Sequence, residues 1–246
     1  MKKYNVVALL LALLLLLCGC RAKQDPAGMI KTEVLFEKTA AALEEGHLFF
    51  AGRVVSVLAE RKSISFYEAE SEKNTYYKVE VTEDFFGCLP QRVLTLCVMG
   101  NSDNFTTRKL LEKDTEYLFD ATVWVQGEEV ILLLPTFYTG MPHRQGDAVL
   151  YTDTAGTKTA ECDYNGYCAT LRRMAEEQGY GPEKVLQHAK KRFEDATLRN
   201  ADYFRELDFA NIDEALLDAT VQTARARLAQ TDKTAATWAG IGELLQ

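Results

Sequence analysis

The chain has 246 residues, 47% of them hydrophobic and 26% charged, with a formal charge of −8 from 28 basic and 36 acidic side chains. That much apolar material excludes a chain without a packed core, and the acidic balance excludes a general affinity for nucleic-acid phosphates.

Lys2 and Lys3 precede an unbroken apolar run of twelve residues, Val6 to Leu17. A helix needs about 20 apolar residues to cross a hydrocarbon core, so this run is too short to span and has the proportions of a secretory signal. It ends in Leu17-Cys18-Gly19-Cys20, which resembles the lipobox of bacterial lipoproteins. The resemblance implies that residues 1–19 are a signal peptide, that the Cys20 sulfur receives a diacylglyceryl group, and that cleavage follows Gly19. At about 0.8 kcal/mol per buried CH2, two acyl chains hold a protein at a membrane. Processing removes Lys2 and Lys3 and no acid, taking −8 to −10, so membrane contact is expected through the lipid alone. The expected location is the extracytoplasmic side of the cell membrane, with an uncleaved anchor or a plain secretory signal as alternatives.

Six cysteines are present. With Cys18 removed and Cys20 lipidated, Cys88, Cys97, Cys162 and Cys168 remain, and an even number in an exported chain suggests two disulfides. The expected pairs are Cys88–Cys97 and Cys162–Cys168, each close in sequence; for Cys97, in an apolar strand-like run, a buried free thiol is the alternative.

Residues 20–46 read as a lipidated tether and a short helix. Residues 21–28, RAKQDPAG, are polar; Ile30, Val34, Leu35, Ala42 and Leu43 then recur at helical intervals over 29–45, and Gly46 stops them. From 47 to 139 the period changes to two. Strands are predicted at His47–Leu58, Tyr76–Thr82, Val93–Met99, Tyr117–Val125 and Val130–Leu134. Tyr77, Val79 and Val81 share one face, as do Tyr117, Phe119, Ala121, Val123 and Val125. Gln126-Gly127-Glu128-Glu129 marks a hairpin, and Pro135 closes the last strand. Five short strands with polar links predict a small barrel.

Phe50-Ala51-Gly52-Arg53-Val54-Val55, Tyr77-Lys78-Val79-Glu80-Val81 running into Phe85-Phe86-Gly87, and Glu116-Tyr117-Leu118-Phe119 resemble the netrin-like OB-fold barrels, which include the tissue inhibitors of metalloproteinases. The resemblance implies that Gly52 bends the opening strand round the barrel and that the second strand ends at a glycine. Phe86 stands where that pattern has lysine, and Asp114 where it has glycine. The inhibitors hold zinc through a free N-terminal cysteine. Here Cys20 is expected to be acylated and lies about 27 residues before the barrel, so inhibition is not carried over.

Residues 140–168 read as a turn-rich segment, with one strand at Ala148–Thr152 and the Cys162–Cys168 loop enclosing Asp163-Tyr164-Asn165-Gly166-Tyr167. Residues 169–246 read as helical: Ala169–Gln178 up to Gly179, a helix opened by Pro182 and running to about Leu198, Ile212–Gln230 capped by Asn211, and a last short one over 234–245. The third carries an apolar stripe of Ile212, Ala215, Leu216, Ala219 and Ala226. The fold class is therefore α+β, a small five-stranded OB-like β-barrel followed by a C-terminal helical region.

No nucleophile elbow, HExxH, phosphate-binding loop or dinucleotide fingerprint occurs. His47, His143 and His188 are scattered without ligand spacing and there is no CxxC, so no metal, no cofactor and no catalytic residue is assigned. The acid pairs Glu83-Asp84, Glu128-Glu129 and Glu194-Asp195 read as solvated surface. Adjacent aromatics, Phe49-Phe50, Phe66-Tyr67, Tyr76-Tyr77, Phe85-Phe86 and Phe137-Tyr138, put one ring of each pair outside the barrel. Either helices cover those rings, or they form an exposed face that grips a peptide, a glycan or another envelope protein. Nine Lys/Arg against fourteen Asp/Glu in 47–139 disfavour single-stranded nucleic acid. The expected function is a lipid-anchored extracytoplasmic envelope protein acting as a non-catalytic binding or assembly module. The alternatives are an inhibitor or accessory factor for an exported enzyme, and an envelope hydrolase.

Overall fold

Helix α1 (Thr32–Glu44) buries Leu35, Thr39, Ala42 and Leu43 on one face, the i, i+4, i+7, i+8 spacing of an amphipathic helix. Gly46, at φ 65, ends it: the Gly46 N–H donates to Leu43 O and the His47 N–H to Ala42 O, the left-handed closure that glycine makes at least cost. The computed structural model describes residues 32–62, 73–98, 111–134, 141–152, 159–199, 201 and 213–246. Cys20 and the lipobox, Asn211, and the pairs Phe66-Tyr67 and Phe137-Tyr138 lie outside the described residues.

The next five strands close into a barrel. β1 (Leu48–Lys62) runs antiparallel to β2 (Lys73–Asp84) and, through Leu48–Arg53, to β4 (Glu116–Gln126). β2 pairs with β3 (Val93–Val98), β4 with β5 (Glu129–Leu134), and β3 with β5 in parallel. The ring β1-β2-β3-β5-β4-β1 is the Greek-key order of an OB barrel. Gly52 is where β1 serves both neighbours, facing Val81 on β2 and Tyr117 on β4 beside a register shift. A Cβ there would lie 2.6 Å from Val79 Cγ1 and 3.3 Å from the Phe119 ring, so only glycine lets the strands approach. The interior is filled by Phe50, Tyr77, Val79, Leu96, Phe119, Val123 and Leu132, the faces expected from the period of two. Phe50 and Phe119 touch at 5.1 Å between ring centres.

Beyond the barrel, β6 (His143–Gln145), β7 (Ala148–Thr152) and β8 (Thr159–Asp163) extend the sheet from β4. Helices follow: α2 (Tyr164–Glu177), α3 (Pro182–Lys191) continued by a π-helical stretch (Arg192–Arg199), α4 (Glu214–Thr231) and α5 (Trp238–Leu244). The segment expected to be turn-rich thus holds three strands, and α2 begins five residues earlier than expected. The Asp163 side chain accepts from Gly166 N at 2.7 Å, so what reads as a turn-prone cysteine loop is a strand end, a helix cap and a first helical turn. The cap of α4 is Asp213, accepting from Leu216 N. Its buried face is Leu217, Thr220, Val221 and Ala224, one residue round from the expected stripe. Thr220 can be buried because its hydroxyl donates to Leu216 O and accepts from the Gly127 N–H, at 2.7 and 2.8 Å.

Candidate functional site

Titratable side chains gather where α1 and α2 meet β4 and β7. Lys38 of α1 hydrogen-bonds the Tyr151 hydroxyl, and Thr39, Asp120 and Tyr167 line the same small cavity. Burial pushes the Tyr167 hydroxyl well above the ordinary phenol range. His47, buried one turn of chain away, lies 3.8 Å from Asp120 Oδ2 and 3.2 Å from Glu45 Oε2. The residue types could do acid–base work, but the cavity among them measures about 20 Å³. That holds about one water.

A second gathering is aromatic. Phe49, Phe86, Tyr180 and Trp238 pack ring on ring, Phe86 lying 4.8 Å from Tyr180 and 5.4 Å from Trp238. The Tyr180 hydroxyl donates to His47 O at 2.6 Å, tying the start of α3 to the start of β1. Phe49 and Phe86 are the outward rings of two adjacent pairs, and Tyr180, just before α3, and Trp238 of α5 cover them. Tyr76 is also buried, in a separate cluster with Cys97, Ile131 and Leu133. Among the described residues the exposed large apolar side chains are Val57, Leu58 and Val93, none aromatic. The exposed aromatic face is therefore not formed there.

A wider opening lies between β3 and β5. Their parallel ladder joins Leu96–Val98 to Leu132–Leu134 and then stops. In the same register the next rungs would set Val93–Thr95 against Glu129–Ile131, but the strands splay there around a groove of about 310 Å³. Leu94, Thr95, Glu129, Val130 and Ile131 form its walls; Leu89, Pro90 and Leu245 lie at its base, and Glu128 and Arg227 reach its rim. The tight β4–β5 turn has Gly127 at φ 59 against Leu216 of α4, and Thr220 holds its N–H, so the beginning of β5 is fastened to α4.

The remaining expected residues fall as follows. Cys88, Cys97, Cys162 and Cys168 are free thiols in this structure. Cys88 belongs to the main core beside Asp84 and Cys97 to the separate cluster. Burial pushes Cys97 up to about 12 and raises Cys88 further, with the Asp84 carboxylate adding to the rise. Cys162 lies in β8, one residue before its end, and Cys168 sits in the first turns of α2; Cys162 is raised by burial, then by Asp163, then by Cys168. His143 is half-buried on β6 against Tyr117, and His188 is held low by desolvation and by Arg192, Lys191 and Lys184. Glu128 and Glu129 are exposed as expected. Asp84 is not free surface: its carboxylate accepts from the N–H groups of Phe86, Gly87 and Leu89 and shapes the β2–β3 bend, with Gly87 at φ 70. Glu83 accepts from the Tyr164 hydroxyl at 2.6 Å and from Arg172. Among the described residues no group of three or more metal-ligating side chains converges, and no helix is long and apolar enough to cross a membrane. Comparison with protein-family models, with curated proteins and with solved structures finds no match.

Proposed function

We propose that this chain is a lipoprotein of the netrin-like OB-barrel type, anchored outside the cytosol through Cys20, whose barrel serves as a non-catalytic binding or assembly module. The observation that carries this reading is a contrast of volumes. The one gathering of acid–base side chains described above encloses about 20 Å³, while an opening of about 310 Å³ is lined by apolar Leu89, Leu94, Val130 and Ile131 together with polar Gln91, Thr95, Glu128, Glu129 and Arg227. Ligand sites of this size typically combine apolar walls with a few polar groups. The leader and lipobox support the address, and the anchor would keep the groove near other envelope proteins.

Site-directed photocrosslinking of the full chain in its own membranes tests the reading. A benzoylphenylalanine at Thr95, on the groove wall, should give a discrete covalent adduct, and one at the exposed Glu177 of α2 should give none. Equal labelling from both positions, or none from either, would count against a binding module in the barrel.

An envelope address also makes the Cys162–Cys168 disulfide part of the proposal. An envelope thiol–disulfide oxidase would take two electrons and two protons from the pair, leaving the mature chain lighter by two hydrogens; an unchanged mass without reductant would refute that bridge.

A further inference from the structure

We infer that the β3–β5 groove accepts an extended, basic peptide segment of a partner protein, which adds as a strand to the open edges of the barrel. This rests on the binding-module reading and names its ligand class.

The groove is a gap in a ladder. Glu80, Val79 and Lys78 of β2 pair with Val93, Leu94 and Thr95 on one side, and Trp124, Val125 and Gln126 of β4 pair with Ile131, Val130 and Glu129 on the other. Val93–Thr95 and Glu129–Ile131 are not paired with each other across the groove, and on each strand alternate residues turn their N–H and C=O groups to that side. Two open rows of N–H and C=O groups that converge on a formed ladder specify the chemistry of an occupant. It must offer its own main-chain donors and acceptors in extended form, as in strand addition. The side chains specify the rest. Leu94, Val130 and Ile131 suit alternate apolar residues, since successive side chains of a strand point to opposite faces. Beside the groove Glu128 and Glu129 are exposed, Glu129 sharing an exposed ion pair with Arg61 at 3.8 Å, and Arg227 keeps its charge while hydrogen-bonding the neutral Gln230; the chain as a whole has a formal charge of −8. A Lys or Arg on the incoming segment meets Glu128, and the net charge of −8 favours approach of a basic partner over an acidic one.

The test uses the full-length chain in detergent micelles and fluorescein-labelled Lys-Val-Thr-Val-Lys-Val. The peptide should bind, its Lys→Glu counterpart at least tenfold more weakly, and the same sequence N-methylated at alternate residues at least tenfold more weakly, because N-methylation removes main-chain donors. Thr95→Trp, at an exposed wall position, should fill the groove and reduce binding tenfold or more. The double change Glu128→Gln with Glu129→Gln should reduce it several-fold and flatten its salt dependence. Binding unaffected by N-methylation or by Thr95→Trp would overturn the inference, as would no binding of any peptide. Concentration-dependent dimerisation that Thr95→Trp abolishes would overturn it in favour of a second copy of the chain. If Thr95 crosslinks a partner in membranes while these peptides fail, the binding-module reading stands and this ligand class falls.

Discussion

Asp114 shows how much one backbone angle asks of a side chain. It sits at φ 64, with its N–H donating to Val54 O at 2.8 Å, in the left-handed region that costs most L residues about 1–2 kcal/mol and aspartate less. The sequence places aspartate where the netrin-like pattern has glycine, and the conformation is the one glycine would take freely. Asp114→Gly should leave stability unchanged or raise it by up to about 1 kcal/mol, and Asp114→Val should lower it by about 1–2 kcal/mol, read by urea unfolding. Equal stability of the valine variant would show that the angle carries no constraint. Cys97 makes a second prediction at this scale. Its thiol is raised to about 12 by burial, whereas an unfolded thiol ionises in the ordinary range. Stability is therefore intact below that range and declines as pH rises from there towards 12. Cys97→Ala should shrink the alkaline decline; an identical decline in both proteins would mean that Cys97 is not neutral and buried in the fold.

Elements differ in how far their own residues announce them. The alternation of Tyr77, Val79 and Val81, and of Tyr117 through Val125, marks the barrel strands because one face must enter the core. Schellman closures at Gly46 and Gly179 mark the ends of α1 and α2 for the same local reason. β6 and β8 escape such reading: β6 has three residues, too few to show a period, and β8 runs into what reads as a cysteine loop, although both pair with the neighbouring β7. The face of α4 escapes because Thr220 counts as polar until Gly127 is brought beside it. The groove escapes altogether, since it is a property of where one ladder stops. Two substitutions test the element packing. Thr220→Val leaves the Gly127 N–H without its acceptor and should cost about 1–3 kcal/mol, while Thr220→Ser should cost less. Gly52→Ala forces a methyl against Val79 and should cost about 1–3 kcal/mol through overpacking. Native stability in either variant, measured by thermal unfolding, would contradict the assigned contact.

At the scale of the whole molecule, a closed barrel carries a three-stranded extension and helices that cover Phe49 and Phe86, with the β3–β5 groove open beside them. The five-stranded barrel and the α+β class were legible from strand periods and turn residues; the proposed task depends on the address. Anchorage at Cys20 determines whether the groove meets envelope partners, whether Cys162 and Cys168 meet an oxidant, and why an acidic body would stay at a membrane. The most direct measurement is the mass of the N-terminal peptide of the mature protein recovered from membranes. The account predicts a chain beginning at Cys20 and carrying a diacylglyceryl thioether, with Cys20→Ser accumulating as an unprocessed precursor. A mature peptide in which Gly19 is still joined to an unmodified Cys20, or a Cys20→Ser protein processed and membrane-bound like the native one, would contradict it.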